Sequence, residues 1–168
     1  SLSHLTSFTE DMARRGMAMR AEWLDRGLYV PSPEETVILG LTSGEQVARI
    51  ARLRLTGETP LAIERASLSS RVLPDPAAIA DSLYKHLEKS GNRPLRAIQR
   101  IRAANLSDDD AALLQVPAGS AGLFIERTSY LASGRVIEFT RSIYRGDTYD
   151  FVAELRLGEP PAQGASKT

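Results

Sequence analysis

Arg52 and Arg54, two residues apart, are the first side chains in this chain whose spacing points to chemistry. They lie in an alternating run, Val47-Ala48-Arg49-Ile50-Ala51-Arg52-Leu53-Arg54-Leu55, whose period of two reads as a strand. Both guanidiniums therefore leave the same face. Side by side they repel unless an anion lies between them, and their forked N–H groups match phosphate or carboxylate oxygens. Solvated surface arginines are the plain alternative, because exposed charge pairs contribute little. Glu64 shares a strand face with the apolar Ala62, Ala66 and Leu68. A carboxylate so placed reaches a rim, pairs with a buried cation or lines a pocket. Glu138 shares a face with Thr140, Ser142 and Tyr144, a stripe of carboxylate, hydroxyls and ring. Such a stripe is either the wet side of a sheet or the lining for a hydroxyl-rich ligand. Finally, Ser7-Phe8-Thr9-Glu10-Asp11-Met12 reads as a helix start whose free N–H groups suit an anion, although alone it is only a cap.

Other chemistries are excluded by what the chain lacks. It has no cysteine, so thiolate metal sites and Cys nucleophiles are ruled out, and two histidines cannot build a multi-His centre. No Gly-rich phosphate loop, GxSxG or HExxH is present, so no cofactor and no enzymatic activity are expected. Asp108-Asp109-Asp110 follows Ser107 and reads as the acidic first turn of a helix rather than a metal cluster. Lys and Arg total 21 and Asp and Glu total 21, a net charge of zero that argues against a free-standing nucleic-acid binder. No apolar run reaches the roughly 20 residues of a membrane helix. The 168 residues suit a single domain, and the start at Ser1 with no signal-peptide core suggests a cytoplasmic domain cut from a longer chain.

The elements that must position these residues follow the same reading. The strand carrying the arginines turns at Thr56-Gly57-Glu58 and returns through Pro60–Ser67, a β-hairpin. A second hairpin runs over Gly122–Leu131, the turn Ala132-Ser133-Gly134, and Val136–Arg145. Helices are expected from Pro33, from Ser82 to Lys89 and from Ser107 to Val116, with extended chain over Arg20–Val30 and Leu95–Leu106. Phe151–Leu157 could add an edge strand. Ile50-Ala51-Arg52 stands 75 residues before Ile125-Glu126-Arg127, and Glu64 stands 74 before Glu138, a weak internal duplication. The order implies an α+β fold, an antiparallel sheet with flanking helices.

The pattern Ser7-Phe8-Thr9-Glu10-Asp11-Met12, Arg15-Gly16-Met17, Leu39-Gly40-Leu41, Gly44-Glu45 and Val47-x-Arg49-Ile50-x-Arg52-Leu53-Arg54 resembles the effector-binding (UTRA) domain of GntR-type repressors. So do Pro60-Leu61-Ala62-Ile63-Glu64-Arg65, Ser82-Leu83-Tyr84, Ile125-Glu126-Arg127 and the run from Glu138 to Asp147. The HutC-like subfamily is the most similar in appearance, and within it the members sensing N-acetylglucosamine or related sugar phosphates. The resemblance implies a chorismate-lyase-like fold over 1–157, a flexible tail over 158–168, a homodimer, and a small-molecule effector. Binding to DNA would belong to a winged helix-turn-helix domain absent from this chain. It also implies that Phe8, Thr9, Arg52 and Arg54 hold a phosphate while Glu64, Glu138, Ser142 and Tyr144 face a sugar. Two positions depart from the family: Ala66-Ser67-Leu68-Ser69 lacks an aromatic ring, and Arg96–Arg102 is basic where acids are common. A non-sugar carboxylate ligand and a lyase-like enzyme are the alternatives. On this reading Arg52→Ala abolishes stabilisation by a sugar phosphate in a thermal melt and leaves the unliganded fold intact.

Overall fold

The computed structural model describes residues 16, 18–80 and 82–150. The Ser7–Met12 helix start, with Phe8 and Thr9, the Phe151–Leu157 strand and the tail lie outside the described residues. Six strands form one antiparallel sheet in the order β1-β2-β3-β6-β5-β4. They are β1 (Arg20–Tyr29), β2 (Val47–Thr56), β3 (Thr59–Ser69), β4 (Arg96–Asn105), β5 (Ala121–Tyr130) and β6 (Val136–Arg145). Three short helices flank it: α1 (Pro33–Leu39), α2 (Leu83–Lys89) and α3 (Asp108–Leu113). Both expected hairpins form, β2–β3 and β5–β6, and they meet edge to edge along β3 and β6. The chain is therefore α+β, as its element order implies.

Each helix begins where a side chain replaces the missing backbone acceptor. Ser32 accepts from Glu35 N while the Glu35 carboxylate accepts from Ser32 N, and Pro33 supplies a preset φ. Gly40 ends α1 at φ +62°, a left-handed conformation that a side chain would strain. Ser82 and Ser107 cap α2 and α3 in the same way, which makes Asp108-Asp109-Asp110 the acidic first turn expected of it.

Cross-strand partners share a face, so the ladder sorts the sheet into two sides. One side packs α2: Ala48, Ile50, Ala66 and Leu68 join Leu83, Tyr84 and Leu87 in a buried cluster. The other side packs α3 over Leu53, Leu55, Ile63 and Ile143, and α1 over Val47 and Phe139. Arginines hold those two helices down. Arg49 donates to both Glu35 oxygens (2.8 and 2.6 Å), Arg65 to Asp110 (2.8 Å), and Arg141 to Glu34. Glu35 thus serves α1 twice, as its capping acid and as its link to the sheet, with Ser67 adding a third donor at 2.8 Å.

Topology makes the duplication visible. Strand–helix–strand–strand units β1-α1-β2-β3 and β4-α3-β5-β6 pack about a pseudo-two-fold between β3 and β6. The ladder corrects the alignment of the acids, however. Arg52 faces Glu64, whereas Arg127 faces Thr140 and Glu138 faces Ser129. The counterpart of Glu64 is thus Thr140, and the second acid has moved one same-face pair, two residues, along the strand. In equilibrium denaturation, Leu68→Ala, at a fully buried position (0% exposed), should cost about 2–5 kcal/mol. Val37→Ala, at 80% exposure, should stay within about 0.5 kcal/mol.

Candidate effector site

Adjacent rows of the ladder carry the polar side chains that share a face with α2. One row runs Trp23, Arg52, Glu64, Ser142 across β1, β2, β3 and β6. The row on one side holds Arg54, Ala62 and Tyr144, and the row on the other holds Ala66, Thr140, Arg127 and Gln99. Glu138 and Ser129 pair one step beyond. Apolar clusters bound this belt at both ends, Leu68 with α2 on one side and Leu61, Ala62, Ile125 and Tyr144 on the other. The six candidate residues within the described chain, Arg52, Arg54, Glu64, Glu138, Ser142 and Tyr144, thus come together on one sheet face. Arg52 is 2% exposed and does not point into bulk solvent.

Of the readings open to Glu64, pairing with a buried cation is the one observed for these arginines. They do have an acidic partner, and it is Glu64, brought opposite Arg52 by the hairpin register. Arg52 donates to Glu64 Oε1, and Arg54 NH2 lies 3.6 Å from the same oxygen. The anion that two neighbouring guanidiniums require is therefore supplied by the chain itself. Burial works hardest against ionisation of Glu64, yet Arg52, Arg54 and Arg127 together bring its carboxyl down to about 2. A consequence is that Arg52→Ala cannot leave the unliganded protein undisturbed. It would strand a buried carboxylate, a loss on the order of 3–5 kcal/mol for broken buried pairs.

Glu138 lives in the opposite environment. It is 3% exposed, and burial, aided by the charge of Glu64, pushes its pKa up against the Thr140 hydrogen bond and Arg127. Thr140 donates to its Oε1, while Oε2 is buried with no hydrogen-bond partner among the described residues. Two carboxyl groups on one face are thus pushed in opposite directions, Glu64 down and Glu138 up.

Sequence reasoning missed four contributors. Arg127 donates to Gln99 Oε1 through two nitrogens (2.9 and 2.7 Å) and to the Tyr84 hydroxyl (3.3 Å). Tyr84 reaches in from α2, and burial foremost, with Glu138 nearby, pushes its hydroxyl up to about 12, so it keeps its proton. Trp23, from the edge strand, stacks under Arg26 and Arg52 at 4.5 and 5.1 Å. The 75-residue echo of Arg52 was the available signal for Arg127. The aromatic and amide partners come from elements whose placement no local pattern reveals.

A depression of about 310 Å³ opens on the opposite face against Leu24, Asp25, Arg49, Arg65, Ser67 and Leu113. Arg49 and Ser67 are bound to Glu35 there and Arg65 to Asp110, so its polar groups serve the helices.

The belt of buried arginines, carboxyls and hydroxyls thus lies on one face of an antiparallel α+β sheet, a combination that the relatives place in a family. Residues 14–150 match the UTRA domain, and the chain belongs to that family. It is 34% identical over 155 residues to the HTH-type transcriptional repressor NagR of Bacillus subtilis, covering 90% of this chain and 64% of that protein. It is 26% identical to the HTH-type transcriptional regulator GgaR of Escherichia coli, covering 92% and 62%. The chain thus spans less than two thirds of these curated relatives. Among solved structures it is similar to the effector domain of PhnF from Mycobacterium smegmatis (TM-score 0.83, 25% identity, 90% and 95% coverage). It is also similar to a GntR-family transcriptional regulator from Enterococcus faecalis (0.75, 28%, 81% and 100%). These relatives are GntR-family transcriptional regulators with UTRA ligand-binding domains. No described helix is long and apolar enough to cross a membrane.

Opposite shifts give opposite pH signatures. Glu64, with its folded pKa lowered, contributes stability that is present above the unfolded value near 4.5 and lost as pH falls toward about 2. Glu138, with its folded pKa raised, contributes stability present below about 4.5 and lost as pH rises through its folded value. Glu138→Gln should therefore raise the melting temperature at about pH 8 and lose that advantage toward about pH 4. A uniform shift at all pH values would show that burial of Glu138 is not governing its ionisation.

Proposed function

We propose that this chain is the ligand-sensing domain of a GntR/HutC-type transcriptional regulator and that its ligand is a small phosphorylated sugar. The observation that carries this reading is the convergence of Arg52 and Arg54 on one carboxylate oxygen within a belt of hydroxyls. Two guanidiniums held that close form an anion position, and each charge-assisted hydrogen bond to a ligand is worth roughly 1.5–3 kcal/mol. Ser142, Tyr144, Glu64 and Glu138 then supply the donors and acceptors that a sugar's hydroxyls match. A purely apolar effector would leave Glu138 Oε2, buried with no hydrogen-bond partner among the described residues, beside hydrocarbon, at a cost of several kcal/mol. Phe8 and Thr9 are proposed to complete the phosphate contacts. The chain is proposed to act as a homodimer without cofactor or catalysis, changing operator binding by a separate DNA-binding domain.

Thermal melts with N-acetylglucosamine 6-phosphate, the free sugar and a small dicarboxylate test the ligand class. The sugar phosphate at about 100 times its Kd should stabilise the domain by close to 2.7 kcal/mol. Arg54→Gln, which leaves the Arg52–Glu64 pair standing, should remove that gain without unfolding the protein. Stabilisation by the dicarboxylate alone would refute the sugar-phosphate assignment. Light scattering that finds only monomer at high concentration would refute the dimer.

A further inference from the structure

Glu64 occupies the place where an anionic ligand would have to sit. Its Oε1 meets Arg52 directly and lies 3.6 Å from Arg54, so both guanidiniums are already turned toward a carboxylate. Its side chain is 14% exposed, whereas that of Arg52 is 2% exposed, which puts the carboxylate on the accessible side of the pair. An anion approaching the arginines therefore meets a negative charge first, and that charge does not titrate away under ordinary conditions, because the arginines bring its pKa down to about 2. Displacement is the remaining route. A displaced carboxylate needs new donors, and Ser142, its direct cross-strand neighbour on β6, is one, whereas the Thr140 hydroxyl is already given to Glu138.

Resting on the ligand class proposed above, we infer that Glu64 is a built-in competitor for the anion position. It makes recognition conditional on a phosphate and hydroxyl donors arriving in the same molecule. Inorganic phosphate can take the guanidiniums but leaves the displaced carboxylate short of donors. A neutral sugar offers donors but cannot replace the carboxylate on the arginines. A sugar phosphate does both, since its anion takes the place of Glu64 and its hydroxyls receive the released carboxylate. Discrimination against free phosphate, the commoner ion, then comes from a residue that opposes the anion rather than from one that attracts it.

Titration calorimetry on the wild-type domain and on Glu64→Gln, with inorganic phosphate, N-acetylglucosamine and N-acetylglucosamine 6-phosphate as probes, tests this. In Glu64→Gln the affinity for inorganic phosphate should rise about tenfold or more, and the preference for sugar phosphate over phosphate should fall by at least as much. The double variant Arg54→Gln/Glu64→Gln should lose the gain in phosphate affinity, and a gain that persists there would place the ion elsewhere and overturn the inference. Unchanged or weaker phosphate binding in Glu64→Gln also overturns it, and marks Glu64 as a support for the arginines only. If the sugar phosphate fails to bind the wild type, the ligand class is wrong, yet the phosphate titration still decides the competitor role. Should Glu64→Gln fail to fold by near-ultraviolet circular dichroism, Glu64→Asp keeps the charge and withdraws it by one methylene. It should show a smaller gain in phosphate affinity, and no gain would overturn the inference.

Discussion

Burying two guanidiniums on the middle of a sheet is tolerable only if a carboxylate is buried with them, and that constraint organises one face of this protein. Arg52 and Arg54 stand on β2, and Glu64 reaches them only when the β2–β3 hairpin closes in the observed register. A slip of one residue would turn every side chain on β3 to the other face. It would set Ile63 beside the arginines and Glu64 against the apolar layer under α3. The ion pair therefore works with the apolar pattern to select a single pairing. Trp23 extends the same row onto the edge strand by lying against Arg52.

Much of this architecture is legible in local residue patterns, and the physical reason is that its elements are capped and bounded by short-range chemistry. Ser32-Pro33-Glu34-Glu35, Ser82 and Ser107 with its three aspartates mark the helix starts, and Gly57 and Gly134 lie in the hairpin turns. Alternation over Val47–Leu55 placed both arginines on one face, and the same arithmetic grouped Glu138 with Thr140, Ser142 and Tyr144. Registers are another matter. That Glu64 answers Arg52, while Glu138 slides one same-face pair away from Arg127, depends on bulges after Arg54 and Ser129 that no periodicity reports. Tyr84 and Gln99 are further from prediction still. They reach Arg127 from α2 and β4, elements separated from it by 43 and 28 residues.

The two halves of the sheet have kept one topology and divided the electrostatics. In the first half the arginine is answered by a carboxylate across the ladder. In the second, Arg127 is held by the neutral groups of Gln99 and Tyr84, and the acid lies one same-face pair off. The same residue types, moved by a single same-face pair, produce one carboxyl whose pKa is lowered and one whose pKa is raised.

Among the described residues β4 is an outer strand, and along one side of it Arg96, Ile98, Arg100 and Arg102 follow one another. Arg96 rests on the Tyr130 ring at 4.1 Å and Arg102 on Phe124 at 4.8 Å, so these charges are held in place rather than swept aside. A second molecule adding its own β4 antiparallel about Gln99 would set Arg96 against Arg102, and one adding it parallel in register would stack arginine on arginine. Either arrangement brings like charges together. On this strand of ten residues, with Ile98 open to solvent, the side chains thus oppose the pairing of like edges.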